Sequence, residues 1–152
     1  MQSNTTRTGN PAFRQGLLFG ILLGIFSIVF NVILSLARLS TLFIGTLMLV
    51  YTGSGLLISL VGFIVAILAY LVAGMRATQQ TGRVGTGALA GLWTGLIGAV
   101  ITWAYALVFY ATAPTIVAPP LSMMVLSAIL NIVLTLLFGA GIGAIGGLLR
   151  KR

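Results

Sequence analysis

The side chains that could do chemistry in this 152-residue chain are few. The sequence has no aspartate, glutamate, histidine or cysteine, and its one lysine is Lys151. Paired carboxylates, metal sites, cysteine nucleophiles and histidine bases are therefore excluded. The acidic or histidine side chain that proton-coupled transporters keep inside the membrane is missing too. We expect a protein that is not an enzyme and that has neither cofactor nor metal ion.

The polar groups that remain inside apolar segments are amides and hydroxyls at helical spacing. Asn31 and Asn131 are the only asparagines in such segments. An amide within hydrocarbon needs a hydrogen-bond partner. The pair is either a polar site for a solute or ion, or a structural bond between helices worth about 0.6–2 kcal/mol, and we favour the bond. The intramembrane polar residues are Ser27, Asn31, Ser35, Ser127, Asn131 and Thr135.

These residues must be positioned by membrane-spanning helices. Hydrophobic residues make up 59% of the chain and charged residues 5%, whereas a soluble domain carries roughly 25% charged residues. A run of roughly 20 apolar residues crosses a bilayer as a helix, and the sequence contains four such runs. We predict an all-α, polytopic membrane protein with a four-helix transmembrane bundle. The predicted spans are about 17–37, 55–75, 86–111 and 121–149.

The segments outside these spans are short. Residues 1–16 are predicted to be a polar tail, residues 17–149 a single transmembrane domain, residues 78–85 a polar turn and residues 150–152 a basic tail. Residues 39–52 are apolar, but they would extend only about 21 Å as a helix, and Gly53-Ser54-Gly55 is expected to end that helix. We expect residues 39–52 to lie in the outer interface or to re-enter the membrane. A five-span alternative, in which they cross, stays open.

The basic residues flank the apolar runs and predict the orientation. With four spans and the N-terminus inside, seven of the eight positive charges lie on the cytoplasmic side, and only Arg38 lies outside. We predict a multi-pass protein of the cell membrane with both termini cytoplasmic. Its basic residues are expected to contact a bilayer that includes anionic lipids, and we expect no nucleic acid partner. The orientation and headgroup residues are Arg14, Arg76, Arg83, Arg150, Lys151 and Arg152.

Three rows of glycine with the spacing of a glycine zipper form the second pattern. Small residues are the usual means by which helices pack in lipid, because they let backbones approach. The row Gly16-Gly20-Gly24 is followed by Ser27, Asn31 and Ser35. The row Gly139-Gly143-Gly147 is preceded by Ser127, Asn131 and Thr135, so the order is mirrored. We therefore expect the first helix to pair with the last, with Asn31 meeting Asn131. The predicted packing residues are Gly16, Gly20, Gly24, Gly87, Gly91, Gly95, Gly139, Gly143 and Gly147.

A stretch of about 25 residues carries a resemblance. Positions 73–76 read AGMR, positions 82–83 read GR, and positions 87–95 read GALAGLWTG. This stretch resembles small glycine-rich four-helix prokaryotic membrane proteins of unknown function, in which a short basic turn joins two glycine-bearing helices. The resemblance implies an architecture and no reaction.

Two functions fit these features. The first is a non-catalytic membrane protein that acts through helix packing, as a homo-oligomer or as an accessory subunit of another membrane protein. Its motivation is three glycine rows, more than a lone four-helix bundle needs. The alternative is a small channel or uniporter subunit with a polar path near Asn31 and Asn131. A cavity that reaches both asparagines would favour transport, and a dry contact between them would favour a structural role.

Overall fold

The described part of the chain forms four long helices. The computed structural model describes residues 10–42, 48–112 and 121–151. The helices are α1 (Pro11–Leu42), α2 (Met48–Thr81), α3 (Val84–Thr112) and α4 (Leu121–Lys151), and no strand occurs among the described residues. The predicted all-α four-helix bundle is confirmed.

Each helix contains a segment long and apolar enough to cross a bilayer. These segments are Pro11–Ile33, Leu60–Thr81, Val84–Phe109 and Val125–Arg150. Large apolar side chains cover the outside of the bundle, and Leu137, for example, is 66% exposed. Such a surface needs lipid around it, because a soluble monomer rarely exposes contiguous apolar patches of this kind. The fold is therefore that of an integral membrane protein.

Helix α1 begins earlier than the sequence analysis placed it. The Asn10 side-chain oxygen Oδ1 accepts a hydrogen bond from the Ala12 amide at 3.1 Å, and the Asn10 carbonyl accepts one from the Arg14 amide at 3.1 Å. Asparagine is a preferred N-cap, and proline fits the first helical position because its missing N–H would have no partner there. Residues 11–16, assigned to the polar tail, thus belong to the helix.

The expected outer segment is not a separate element. Residues 39–42 continue α1 and residues 48–52 open α2, while residues 43–47 lie outside the described part. Helix α2 also passes through Gly53-Ser54-Gly55, which was expected to end a helix. One glycine disfavours a helix by only about 1 kcal/mol. In hydrocarbon every backbone group must be satisfied within the segment, which favours a continuous helix more strongly.

The connection between α2 and α3 is shorter than the polar turn predicted for residues 78–85. Helix α2 ends at Thr81 and α3 begins at Val84. Gly82 has φ +68°, a left-handed conformation that favours glycine, and its amide donates to the Thr78 carbonyl at 2.7 Å. The Arg83 carbonyl accepts from the Thr86 hydroxyl at 2.6 Å. These bonds close a tight hairpin.

The helices are not arranged as the mirrored polar rows predicted. Helices α2 and α3 contact each other, and each also contacts both α1 and α4. Within the described residues, α1 and α4 make no contact. They therefore lie on opposite sides of the α2–α3 pair, and the expected pairing of the first helix with the last is wrong. We call the end with the α2–α3 hairpin the basic end and the opposite end the distal end.

Candidate functional site

The glycine row of α1 lies against α3. Its members are Gly16, Gly20 and Gly24. A Cβ atom built on Gly20 would lie 2.7 Å from Ile97 Cβ and 3.0 Å from the Thr94 carbonyl oxygen, and one built on Gly24 would lie 2.8 Å from Ile101 Cβ. Gly16 faces Trp93 and the Ala90 carbonyl in the same way. Helix α1 can approach α3 this closely only because these residues lack side chains.

The rows of α3 and α4 face each other. A Cβ atom on Gly87 would lie 2.8 Å from the Gly143 carbonyl oxygen, and one on Gly143 would lie 2.6 Å from the Gly87 carbonyl oxygen. Gly91 faces the Gly139 carbonyl, and Gly95 lies against the backbone of α4 at residue 135. Backbone thus meets backbone along this contact.

Helix α2 completes the closed layer at the basic end. Gly74 faces the Gly143 carbonyl, and a Cβ atom on Gly147 would lie 2.6 Å from the Thr78 hydroxyl oxygen. Ala73 and Ala77 on the same helix are fully buried. All nine glycines of the three rows are therefore engaged in contacts within the chain. The close packing leaves little room for a solute at this end.

A cavity of about 260 Å³ begins where the glycine rows end. All four helices line it. Its floor is buried: Tyr70 is 5% exposed and Leu23 8% exposed. Asn31 and Asn131 also line the cavity and are exposed, so they lie at its rim. The polar residues of the cavity are Ser27, Asn31, Tyr70, Thr102, Asn131 and Thr135.

The two asparagines do not hydrogen-bond each other. Asn31 Nδ2 donates to the Ser27 carbonyl of its own helix at 2.8 Å. Asn131 Oδ1 accepts from the Thr135 hydroxyl, also on its own helix, at 3.4 Å. The expected bond between Asn31 and Asn131 is therefore wrong, because α1 and α4 lie on opposite sides of the bundle. Both side chains nevertheless line the same cavity.

The floor of the cavity holds a polar group without a protein partner. Within the described part of the chain, the Tyr70 hydroxyl makes no hydrogen bond. Tyr70 packs its ring against α4, where a Cβ atom on Gly139 would lie 3.2 Å from Tyr70 Cε1. Nearby, Phe26 and Phe30 stack with ring centroids 5.6 Å apart and line the same cavity. The site therefore combines amides and hydroxyls with aromatic walls.

The remaining predicted polar residues lie elsewhere. Ser127 is exposed on α4 and does not line the cavity, and the side chain of Ser35 is outside the described part. Sequence analysis missed Tyr70 and Thr102 as cavity residues. A signal for Tyr70 existed, since tyrosines of membrane helices concentrate at the interfaces and this one lies far inside its span. Thr102 follows a glycine row at helical spacing, as Thr135 precedes one.

Four exposed arginines lie at the basic end: Arg14, Arg76, Arg83 and Arg150. Lys151 is the last residue of α4 and its side chain is not described, and Arg152 lies outside the described residues.

Two of these arginines have neighbours within the protein. The Arg76 guanidinium lies 5.7 Å from the centroid of the Phe19 ring, a cation–π distance. With its amide oxygen turned toward α4, Gln79 accepts from Arg150 Nε at 2.6 Å and from Nη2 at 3.1 Å. The sequence holds no acidic side chain to neutralise them.

The described side chains that line the cavity are amides, hydroxyls, a phenol and apolar groups, and none of them is a carboxylate, imidazole, amine or thiol. Among the described residues there is also no cluster that could hold a metal ion. No protein-family model, curated protein or solved structure matches this chain.

Proposed function

We propose that this integral membrane protein is a non-catalytic carrier that binds a small polar solute in the cavity between its four helices. The observation that carries the proposal is a cavity that reaches both Asn31 and Asn131 and has an unpartnered hydroxyl, that of Tyr70, at its floor. The Tyr70 hydroxyl is open to the cavity and can both donate and accept a hydrogen bond there. A solute with hydrogen-bonding groups would satisfy it.

The glycine rows support this proposal over a role in assembly. They motivated the hypothesis of an oligomer because three rows were expected to exceed the needs of one bundle. All nine glycines lie against other helices of the same chain. No glycine row is left over for a second protein.

The shape of the cavity favours a carrier over an open channel. Backbone contacts such as Gly87 with Gly143 close the basic end, while the exposed asparagines mark the rim on the distal side. A solute bound at Tyr70 could therefore leave through the basic end only after the helices there separate. By the distribution of basic residues we place this closed end, with both termini, at the cytoplasmic face of the cell membrane, in contact with anionic lipid headgroups.

Filling the cavity tests the proposal. A Cβ atom on Gly62 would meet only the Phe30 ring, at 3.4 Å or more, so Gly62→Leu can be accommodated with its side chain in the cavity. Gly141→Leu is the matched control, because a Cβ atom there meets nothing within 4 Å and the residue is exposed. Both variants replace a helical glycine by leucine, so their effects on helix propensity cancel.

The measurement is solute flux into liposomes that contain the purified protein, with urea, glycerol and potassium chloride as probes. We expect flux of at least one probe above that of protein-free liposomes, its loss in Gly62→Leu and its retention in Gly141→Leu. Elution volume and helical circular dichroism verify that both variants are folded. Flux that is equal in the two variants, or absent in the unmodified protein, contradicts the proposal.

A second candidate is assembly through α4. In an apolar window of 18 residues, 6% of the residues of α4 are buried within the chain, against 22% in the corresponding window of each of the other three helices. Exposed leucines follow one face of this helix at Leu130, Leu134 and Leu137, and a helix of a second copy could pack there. Native mass spectrometry from nanodiscs tests this candidate. A dimer that Leu134→Arg dissociates supports it, and a monomer at all protein concentrations contradicts it.

A further inference from the structure

Some of the polar side chains that line the cavity already donate their hydrogen atoms to protein acceptors, and others do not. Thr102 donates its hydroxyl hydrogen to the Gly98 carbonyl at 2.9 Å, and Thr135 donates to Asn131 Oδ1 at 3.4 Å. The side-chain oxygen of Asn131 is thereby occupied, whereas its amide nitrogen donates to no protein atom in the described residues. The Tyr70 hydroxyl also donates to none. The donors left for a ligand are the Tyr70 hydroxyl at the floor, the Asn131 amide nitrogen at the rim and the hydroxyl of Ser27.

The charges of the protein have one sign. The chain carries eight positive side chains and no negative one. Arg76 lies six residues from Tyr70 along α2, a rise of about 9 Å. Electrostatic interactions are strengthened where the surroundings have a low dielectric constant. A cation in the cavity would meet no carboxylate and would be repelled, while an anion would be attracted.

We propose that the cavity is a binding site for a small monovalent anion of the halide or nitrate class, held by the Tyr70 hydroxyl and the Asn131 side-chain amide. This inference rests on the proposed solute carrier and names its ligand. Hydrogen bonds from neutral donors to a charged acceptor are stronger than those to neutral acceptors. None of the described residues that line the cavity is charged, so these residues favour a monovalent anion over a multiply charged one.

The size of the cavity fits this ligand. A volume of about 260 Å³ accommodates a halide or nitrate ion together with several water molecules. An anion can therefore enter with part of its hydration shell, which lowers the penalty of leaving water.

Chloride efflux from liposomes tests the anion site. Liposomes that contain the purified full chain are loaded with potassium chloride and diluted into potassium gluconate with valinomycin, and released chloride is followed with an electrode. We expect efflux well above that of protein-free liposomes. Tyr70→Phe and Asn131→Leu should each lower the rate at least about tenfold, because each removes a hydrogen bond to an ion.

The variants are chosen to fold. Tyr70→Phe retains the ring and removes a hydroxyl that has no protein partner, so the packing against Gly139 is kept. Tyr105→Phe is the matched control, since Tyr105 stacks on Phe109 and does not line the cavity. We expect it to release chloride at the unmodified rate.

The outcomes separate this inference from the proposed function. Flux of urea or glycerol that Tyr70→Phe alters, without chloride efflux, overturns the anion site and leaves the carrier. If chloride efflux occurs but neither Tyr70→Phe nor Asn131→Leu lowers it, then Tyr70 and Asn131 do not bind the anion and the inference is overturned. The absence of flux for every probe overturns the carrier itself.

Discussion

The contact between α3 and α4 makes a sharp prediction for Gly143→Ala. The added methyl group would lie 2.6 Å from the Gly87 carbonyl oxygen, 2.9 Å from Gly91 Cα and 3.1 Å from the Gly91 amide nitrogen. All three neighbours are backbone atoms of α3, so no side-chain rotation can make room. Carbon atoms pack best at about 3.5–4.0 Å, and the two helices must therefore part locally by about 1 Å.

The free energy of unfolding should fall relative to a control that shares the same chemistry. Forcing an extra carbon into a close contact disfavours the folded state by about 1–3 kcal/mol, whereas alanine favours a helix over glycine by about 0.8–1.0 kcal/mol. Gly141→Ala adds the same methyl group to the same helix where nothing lies within 4 Å. The gain in helix propensity from glycine to alanine is the same in both variants and cancels in their difference. Gly143→Ala should thus be less stable than Gly141→Ala by about 1–3 kcal/mol.

Unfolding in mixed micelles with increasing sodium dodecyl sulfate measures this difference, with far-ultraviolet circular dichroism or Trp93 fluorescence as the signal. Trp93 lies at the contact of α1 with α3, near the packed layer. Equal stability of the two variants would refute the close backbone approach. A Gly143→Ala variant more stable than Gly141→Ala would refute the contact altogether.

Three further predictions use other parts of the fold. Gly82→Ala should lower stability by about 1–2 kcal/mol, because φ is +68° and alanine disfavours this conformation; Gly82→Asn should recover part of the loss in the same unfolding assay. Cysteine placed at Gln80 should resist an impermeant thiol reagent in intact cells while cysteine at Thr115 reacts, and the opposite result would reverse the orientation. In a double-mutant cycle, Asn31→Leu and Asn131→Leu should lack the coupling of about 0.6–2 kcal/mol expected of a direct amide–amide hydrogen bond, because each amide bonds within its own helix; coupling of that size would contradict this.

The number and type of the elements could be predicted from the sequence, but their ends could not. A long run of apolar residues in a membrane has few alternatives to a helix, because the backbone must bond to itself. The same requirement favours the continuation of α2 through Gly53-Ser54-Gly55, where glycines would weaken a helix in water. The start of α1 does have a sequence signal, asparagine before proline at positions 10 and 11.

The partners of the glycine rows could not be predicted for a different reason. A spacing of four identifies residues that share a face of one helix, but it holds no information about which helix that face meets. Gly20 meets Ile97 and Thr94 on α3, a helix whose own glycines, such as Gly91, face α4. Glycine therefore packs on larger residues in one contact and on glycine in the other. The mirrored order of glycine and polar residues on α1 and α4 therefore did not predict whether these two helices contact each other.

The position of the cavity follows from where the small residues end along each helix. Near the basic end, α3 and α4 approach through Gly87 and Gly143, so their axes are close there. Farther along, Tyr70 on α2, Thr102 on α3 and Asn131 on α4 line an open space of about 260 Å³ between the helices. The mirrored order of glycine and polar residues thus produces a closed half and an open half of one bundle, and a solute site at their boundary requires no direct contact between the two asparagines.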